Sequence, residues 1–340
     1  TEGLKRLVDA CHERGLAVLL DVVYNHLGPD GNFLPLFGPY FTDDYATPWG
    51  DAVNLDGPGS DEVRRFFIDN ALMWLRDYHI DGLRLDASDR LFDSSPMHFL
   101  EELAREVAVL AKALDRRLVV TAETDLNDPR MVQRQEVGGY GLDAQWLDDF
   151  HHALHTVLSG EQNSYYADFG TLADLAASLQ GAYVYAGRYS PFRDHRRGRR
   201  ASQTPGDSEG ALLPGTRFVA FMQNHDQIGN RAAGERMGHL VDEGRIQAGT
   251  ALTLLSPFVP LLFQGEEWGA SSPFLYFTDH QDRELADAVR EGRQNAFGAF
   301  GWKADAVPDP QDVETFRRSK LNWAEPVSYT HLTLPTKRIV

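Results

Sequence analysis

Two rhythms of apolar and polar residues alternate along this chain. Leu4, Leu7, Val8 and Cys11 recur at helical spacing and Gly15 closes that run. Residues 16–23 are then apolar except for Asp21, as in a strand covered on both faces. The pair repeats. Val63, Phe66, Phe67, Leu72 and Leu75 mark an amphipathic helix opened by Ser60, and 82–86 follows as a strand. Further helices are predicted at 97–114, 128–135, after 147 through His155, and at 172–179, 244–255 and 283–297. Strands are predicted at 118–123, 142–147, 218–223 and 259–263. Buried strands alternating with amphipathic helices predict an α/β fold on a parallel sheet, its six strands starting near Leu16, Gly82, Leu118, Leu142, Phe218 and Val259. Pattern alone permits an open doubly wound sheet or a truncated barrel.

Two stretches break the rhythm. Residues 27–60 form a loop rich in Gly, Pro, Asp and aromatics, too long for a plain connector and therefore expected to be functional. The apolar run 246–263 is interrupted by Ser256, Pro257 and Pro260, which predicts a core helix and a buried strand rather than a membrane span.

Composition narrows the partners. A formal net charge of −17 over 340 residues disfavours nucleic acid and anionic membrane surfaces and suits a neutral polar substrate. Aromatic residues, 11% of the chain, sit beside carboxylates in several places, as sugar-stacking surfaces require. The single cysteine, Cys11, excludes an internal disulfide and suits a reducing, cytoplasmic setting, and no basic-then-apolar leader follows Thr1. Arg193, Arg196, Arg197, Arg199 and Arg200 read as a solvated basic loop.

The candidate chemistry lies where strands end. Asp86 closes Gly82-Leu-Arg-Leu-Asp86, Glu123 closes Val119-Val-Thr-Ala-Glu123, and Asp226 follows the fifth strand in Gln223-Asn-His-Asp226. In a parallel sheet all three positions open on one side. Arg84, two residues before Asp86 on the same strand face, favours the ionised carboxylate, either as a structural ion pair or as a nucleophile. Glu123, with Thr121 and Thr124 as its nearest polar neighbours, is expected to hold its proton and serve as general acid. Consecutive strands lie ~4.8 Å apart, close to the ~5–5.5 Å carboxyl separation of retaining glycosidases. Asp226 would brace the transition state, with His26 and His225 donating to sugar hydroxyls.

Asp21-Val-Val-Tyr-Asn-His26, Gly82-Leu-Arg-Leu-Asp86, Glu123 and Asn224-His-Asp226 resemble, in order, the four signature regions of the α-amylase superfamily of glycoside hydrolases. The resemblance implies a catalytic (β/α)8 TIM barrel with Asp86 as nucleophile, Glu123 as acid/base and Asp226 as stabiliser. It also implies truncation: strands 3 to 8 present, the first two missing. Residues 1–326 would be that partial barrel and 327–340 a non-native-looking tail.

Trp146-Leu-Asp-Asp-Phe-His-His152, Gln223 to Arg231, Gly234-Glu-Arg236, Leu262 to Trp268 and Lys320-Leu-Asn-Trp323 resemble, more narrowly, the malto-oligosyltrehalose trehalohydrolase family. That resemblance implies hydrolysis of the α-1,4 bond next to the terminal trehalose of maltooligosyl trehalose, within trehalose biosynthesis. Ala87-Ser-Asp-Arg90 after the nucleophile departs from the Lys-His that α-amylases often carry.

Expected substrate contacts are Tyr24, Asn25, His26, Arg84, Asp148, Asp149, Phe150, His151, His152, Asn224, His225 and Gln227, with Tyr24 foremost among the stacking aromatics Tyr24, Trp49, Trp146 and Trp268. His151 and His155 share a helix face, yet their position after a strand end favours substrate contact over metal. No cofactor and no metal are expected. A branching or debranching enzyme, a general α-amylase and a non-catalytic carbohydrate-binding barrel are the competing readings.

Overall fold

The computed structural model describes residues 1–204, 210–298 and 307–328. The expected tail beyond 328 lies outside them. The chain divides into two compact units, one of 1–147, 181–189 and 196–219, the other of 148–180, 190–195 and 220 onward.

The first unit opens with α1 (Glu2–His12) and β1 (Leu19–Val22). The long loop is not plain coil: β2 (Phe41–Thr47) and β3 (Gly50–Val53) form an antiparallel hairpin within it. α2 (Ser60–Asp77), β4 (Gly82–Leu85), α3 (Phe99–Leu114), β5 (Val119–Ala122) and β6 (Ala144–Trp146) follow. Ser60 is the first helical residue rather than the cap, which is Gly59 at φ 77°. Asp61 and Glu62 then sit where the helix dipole favours negative charge. The helix predicted at 128–135 is two short 3-10 turns, 129–131 and 135–137. Backbone closure from Tyr140 to Arg130 and from Leu142 to Met131 bends this segment too tightly for a continuous helix.

β1, β4, β5, β6 and β9 (Phe218–Phe221) pair in parallel, residue against residue: Leu20, Leu83 and Val120 share one rung, and Asp21, Arg84 and Thr121 the next. Leu83 and Leu85 are fully buried with Ile68, Leu72 and Leu75 of α2 and Phe99, Leu100 and Leu103 of α3 in one core. Arg84 alternates to the other face, as strand periodicity requires. β1 ends the strand order, and Leu16, Leu19 and Val23 remain about half exposed there.

A second small hairpin, β7 (Arg188–Ser190) with β8 (His195–Arg197), precedes β9. Arg197 is not solvated. It is 8% exposed, pairs with Asp125 at 3.0 Å and donates to the Asp125 carbonyl.

The second unit holds α4 (Asp148–Ser159), α5 (Leu172–Gly181), the end of β9, α6 (His225–Gly229), α7 (Met237–Leu240), α8 (Glu243–Leu255) and β10 (Val259–Leu261). It continues with α9 (Arg283–Gly298), α10 (Val313–Arg318) and α11 (Glu325–Ser328). α4 and α8 touch where Gly249 removes a side chain: a Cβ there would stand 2.7 Å from both Leu158 and Met222. β10 is the other end of the strand order, with Val259 and Leu262 exposed. Among the described residues no helix is long and apolar enough to cross a membrane.

Gly82 is held between two paired strands, and a Cβ there would meet the Val119 carbonyl oxygen at 2.5 Å and Leu19 at 3.2 Å. The Val119 carbonyl is backbone and cannot yield without disturbing the ladder, whereas Leu19 presents a side-chain carbon. Gly82→Ala is therefore expected to lower the unfolding free energy by about 1–3 kcal/mol in chemical denaturation. An unchanged midpoint would contradict this close packing.

Candidate active site

Strand register builds the first cluster. One step beyond the rung Val22–Leu85–Ala122, the Asp86 N–H donates to the Val22 carbonyl at 3.0 Å and the Glu123 N–H to the Leu85 carbonyl at 2.9 Å. Asp86 and Glu123 thus leave adjacent parallel strands at equal height. Arg84, 5% exposed, lies beneath them. Its Nη1 is 2.7 Å from Asp21 Oδ1 and 2.7 Å from Asp86 Oδ1, and its Nη2 is 3.5 Å from Glu123 Oε2. The Trp146 ring covers the guanidinium at 4.4 Å. Burial pulls the Arg84 pKa down, but Glu123, Asp21 and Asp86 outweigh it and hold the group above its ordinary value.

Asp86 is also gripped by Asn25, whose Nδ2 donates to the Asp86 carbonyl at 2.8 Å and to its carboxylate at 2.9 Å. Asn25 is fully buried, so it positions Asp86 rather than meeting a substrate. Its own oxygen pairs with His26 Nδ1. His26 in turn stacks flat on Trp49 of the loop hairpin, centroids 4.2 Å apart. Burial lowers the His26 pKa against the pull of Asp86, which leaves a neutral ring beside the carboxylate.

Glu123 does not stand apart from the cation. Thr121 spends its hydroxyl on the Leu83 carbonyl at 3.3 Å, while Glu123 receives the Ala87 N–H and faces Arg84. The expectation of a carboxyl insulated among threonines is corrected. Register places the long Arg84 side chain below both strand ends, where it reaches across. Ala87 adopts φ 33°, an uncommon left-handed conformation for a residue with a side chain, and this aims its N–H at Glu123. The Ser88 hydroxyl holds the Glu123 carbonyl at 2.8 Å.

Tyr24 is a core residue, not a stacking platform. It is 6% exposed, packs on Phe67 at 5.3 Å and donates to Asn70 of α2 at 2.7 Å. Val22 and Tyr24 share a strand face, and that face meets α2. Burial raises the Tyr24 pKa well above its ordinary value.

The second unit holds the remaining candidates. Asn224 caps α6, its Oδ1 accepting from the Gln227 N–H at 2.8 Å, and is itself buried. His225 and Asp226 lie in the first turn with exposed side chains, His225 Nε2 being 3.7 Å from Asp226 Oδ1. Gln227 accepts from Tyr165 at 3.3 Å, and its Oε1 lies 3.4 Å from the Tyr166 hydroxyl oxygen.

On α4, Asp148 is half-buried, but Asp149, Phe150, His151 and His152 are buried. Phe150 packs edge-on against Phe258. His151 meets the Met222 carbonyl through Nδ1 at 2.8 Å, which puts the proton on Nδ1, and Nε2 then accepts from the Tyr166 hydroxyl at 2.9 Å. Both nitrogens are satisfied, and burial drives its pKa well below the ordinary value. Phe150 and His151 are therefore corrected from substrate contacts to core. His155 bonds Glu161 at 2.7 Å, and Arg231 grips the same carboxylate at 2.7 and 3.0 Å.

Sequence reasoning missed Asp21, Trp146 and Ser88 as members of the first cluster. The polar break at Asp21 in an apolar strand was the available signal for one of them.

No family model matches the chain. Malto-oligosyltrehalose trehalohydrolases from Mycobacterium tuberculosis and Arthrobacter ramosus are 52% and 54% identical to it over 333 residues, 98% of the chain and 56% of either relative. The enzyme of that name from Saccharolobus solfataricus is 47% identical over 94% of the chain and 53% of its own length. The chain thus spans about half the length of the curated relatives it matches. A solved Salmonella typhimurium structure described as an alpha amylase superposes with TM-score 0.86 at 41% identity, covering 97% of this chain and 55% of the other. An Anoxybacillus alpha-amylase, 21% identical, shares the fold at TM-score 0.54.

Two outcomes are expected. Arg84→Met leaves Asp21, Asp86 and Glu123 without their shared cation, so its melting temperature should fall below wild type by more than that of Arg84→Lys, which keeps the charge. Equal losses in the two variants would refute the electrostatic role. Glu161 has its pKa lowered to about 2 by the His155 and Arg231 bonds, against burial. A lowered carboxyl stabilises the fold above its unfolded value, about 4.5, and that stability is lost as pH falls toward about 2. Glu161→Gln should flatten the acid limb of a melting-temperature profile in that window, and an unchanged limb would count against the pairing.

Proposed function

The chain is a homologue of the malto-oligosyltrehalose trehalohydrolases of the α-amylase superfamily, and from that premise we propose that it carries the catalytic chemistry of a retaining glycoside hydrolase. The observation that carries the reading is the Arg84 cluster, in which two carboxylates leave adjacent strands at equal height above one guanidinium. The ~4.8 Å strand spacing suits the ~5–5.5 Å separation used for retention. Asp86, oriented by Arg84 and Asn25, attacks the anomeric carbon. Glu123 protonates the leaving oxygen and later takes a proton from water. Asp226 supplies the third carboxylate and stabilises the oxocarbenium-like transition state. The six strands are read as strands 3 to 8 of a (β/α)8 barrel and 1–326 as its catalytic part, and the setting as cytoplasmic.

The proposed bond is the α-1,4 linkage next to the terminal trehalose of maltooligosyl trehalose. Among the candidate contacts, His26, Asp148, His225 and Gln227 are partly exposed, while Asp149 and His152 are buried. A site that pairs its polar groups with particular hydroxyls discriminates strongly, because a wrong sugar leaves those groups unpaired.

The test uses the chain completed with the two preceding βα units of a trehalohydrolase relative. It should release trehalose with retained anomeric configuration, read by NMR, and act poorly on plain maltooligosaccharides of equal length. Asp86→Asn should reduce release by at least about 10³-fold, and Asp148→Ala should cost more on the trehalose-ended substrate than on the plain one. Maltose from both substrates at similar rates would replace this reading with a general α-amylase.

A further inference from the structure

The backbone that leaves Glu123 has neither strand nor helix to hold it, since β5 ends at Ala122 and the next helical turn begins at Pro129. Its carbonyls are held one by one instead. The Glu123 carbonyl receives the Ser88 N–H at 2.9 Å and the Ser88 hydroxyl at 2.8 Å. The Asp125 carbonyl receives Nη2 of Arg197, and the Asn127 carbonyl receives the Arg199 N–H at 3.0 Å. The end of β8 thus lies along the segment that follows the proposed acid/base. Gly198 permits this approach: its φ is 68°, and a Cβ there would overlap the Tyr185 carbonyl oxygen and stand 2.9 Å from the Asn127 Cβ. Arg197 also brings a charge. Its buried guanidinium faces the Asp125 carboxylate at 3.0 Å and lies 5.8 Å from the Tyr185 ring. Asp89, in the turn that holds the Glu123 carbonyl, feels the same pair. Burial and the Asp125 charge raise its pKa, while Arg90 and Arg197 oppose them.

We propose that Arg197 is a positioning residue for Glu123: through Asp125 it fixes the backbone that follows the acid/base and, with that carboxylate, sets the charge against which the acid/base holds its proton. The inference rests on the hydrolase reading of Glu123. The pair joins a β8 side chain to the residue two positions after Glu123, so its two members act on the Glu123 proton with opposite sign. A nearby cation favours the ionised carboxyl and a nearby anion the protonated one. Arg84 with Asp86 and Asp21 on the neighbouring strands, and Asp89 with Arg90 in the turn, also bear on Glu123. All of these stay in place when either member of the Arg197–Asp125 pair is changed.

The test is a carboxyl titration by 13C NMR of the chain labelled in glutamate, with Glu123 assigned through Glu123→Gln. Arg197→Met should move the Glu123 midpoint up by about 0.5 pH unit. Asp125→Asn, which keeps the size of the side chain and the backbone bond from Arg197, should move it down by about as much. The double variant should return toward wild type, and Arg197→Lys should lie closer to wild type than Arg197→Met. A purely structural role would move both single variants the same way or not at all, and either result overturns the proposal. The Asp125 side chain is 32% exposed, so Asp125→Asn keeps the test decisive if thermal melts show Arg197→Met unfolded. In the completed chain described above, the alkaline limb of the kcat/KM profile should move with the NMR midpoint. A limb that ignores the NMR shifts overturns the positioning role. Absence of turnover with both NMR shifts intact would strike the hydrolase reading and leave the charge coupling standing.

Discussion

A single buried guanidinium organises the candidate site. Arg84 cannot be taken from water without compensation, and in this fold the compensation comes from Asp21, Asp86 and Glu123 on three successive strands of the sheet. The arrangement is forced by register. Asp21, Arg84 and Thr121 share a rung, so two residues further along, on the same face, two carboxylates fall within the span of one side chain. The cation thereby orients the proposed nucleophile and the proposed acid at once. Trp146 closes the far side of the guanidinium and keeps it from swinging out. Asn25 and Ala87 complete the support through directed N–H bonds, the latter at the cost of an unfavourable backbone angle.

The histidine-rich segment behaves differently. A run of ionisable side chains after a strand suggests substrate contact or metal. Once the run is wound into α4, however, His151 and His155 turn inward. Each is satisfied by a protein partner: the Met222 carbonyl and Tyr166 for one, Glu161 for the other. The Glu161–Arg231 pair and the Tyr166–Gln227 contact then tie the segment after α4 to the turn that holds Asp226. Polar residues in that core specify geometry through hydrogen bonds that apolar packing would not supply.

The order and kind of the elements were legible in the sequence, because a strand covered on both faces demands an unbroken apolar run and a surface helix demands a stripe. All six sheet strands appear where those runs lie. The strand-end carboxylates were legible too, since Asp86 and Glu123 interrupt apolar runs at their last position. The hairpin inside the long loop, the 3-10 turns at 129–137 and the core roles of Tyr24, Phe150 and His151 were not. Each depends on which neighbour covers a side chain, and a one-dimensional pattern records polarity but not the neighbour. Glu123 is the clearest case. Its sequence neighbours are threonines, yet its electrostatic partner is an arginine 39 residues earlier. Local sequence determined that a carboxylate would end that strand. Only the parallel pairing of β4 with β5, a contact between distant segments, decided which charge it would face.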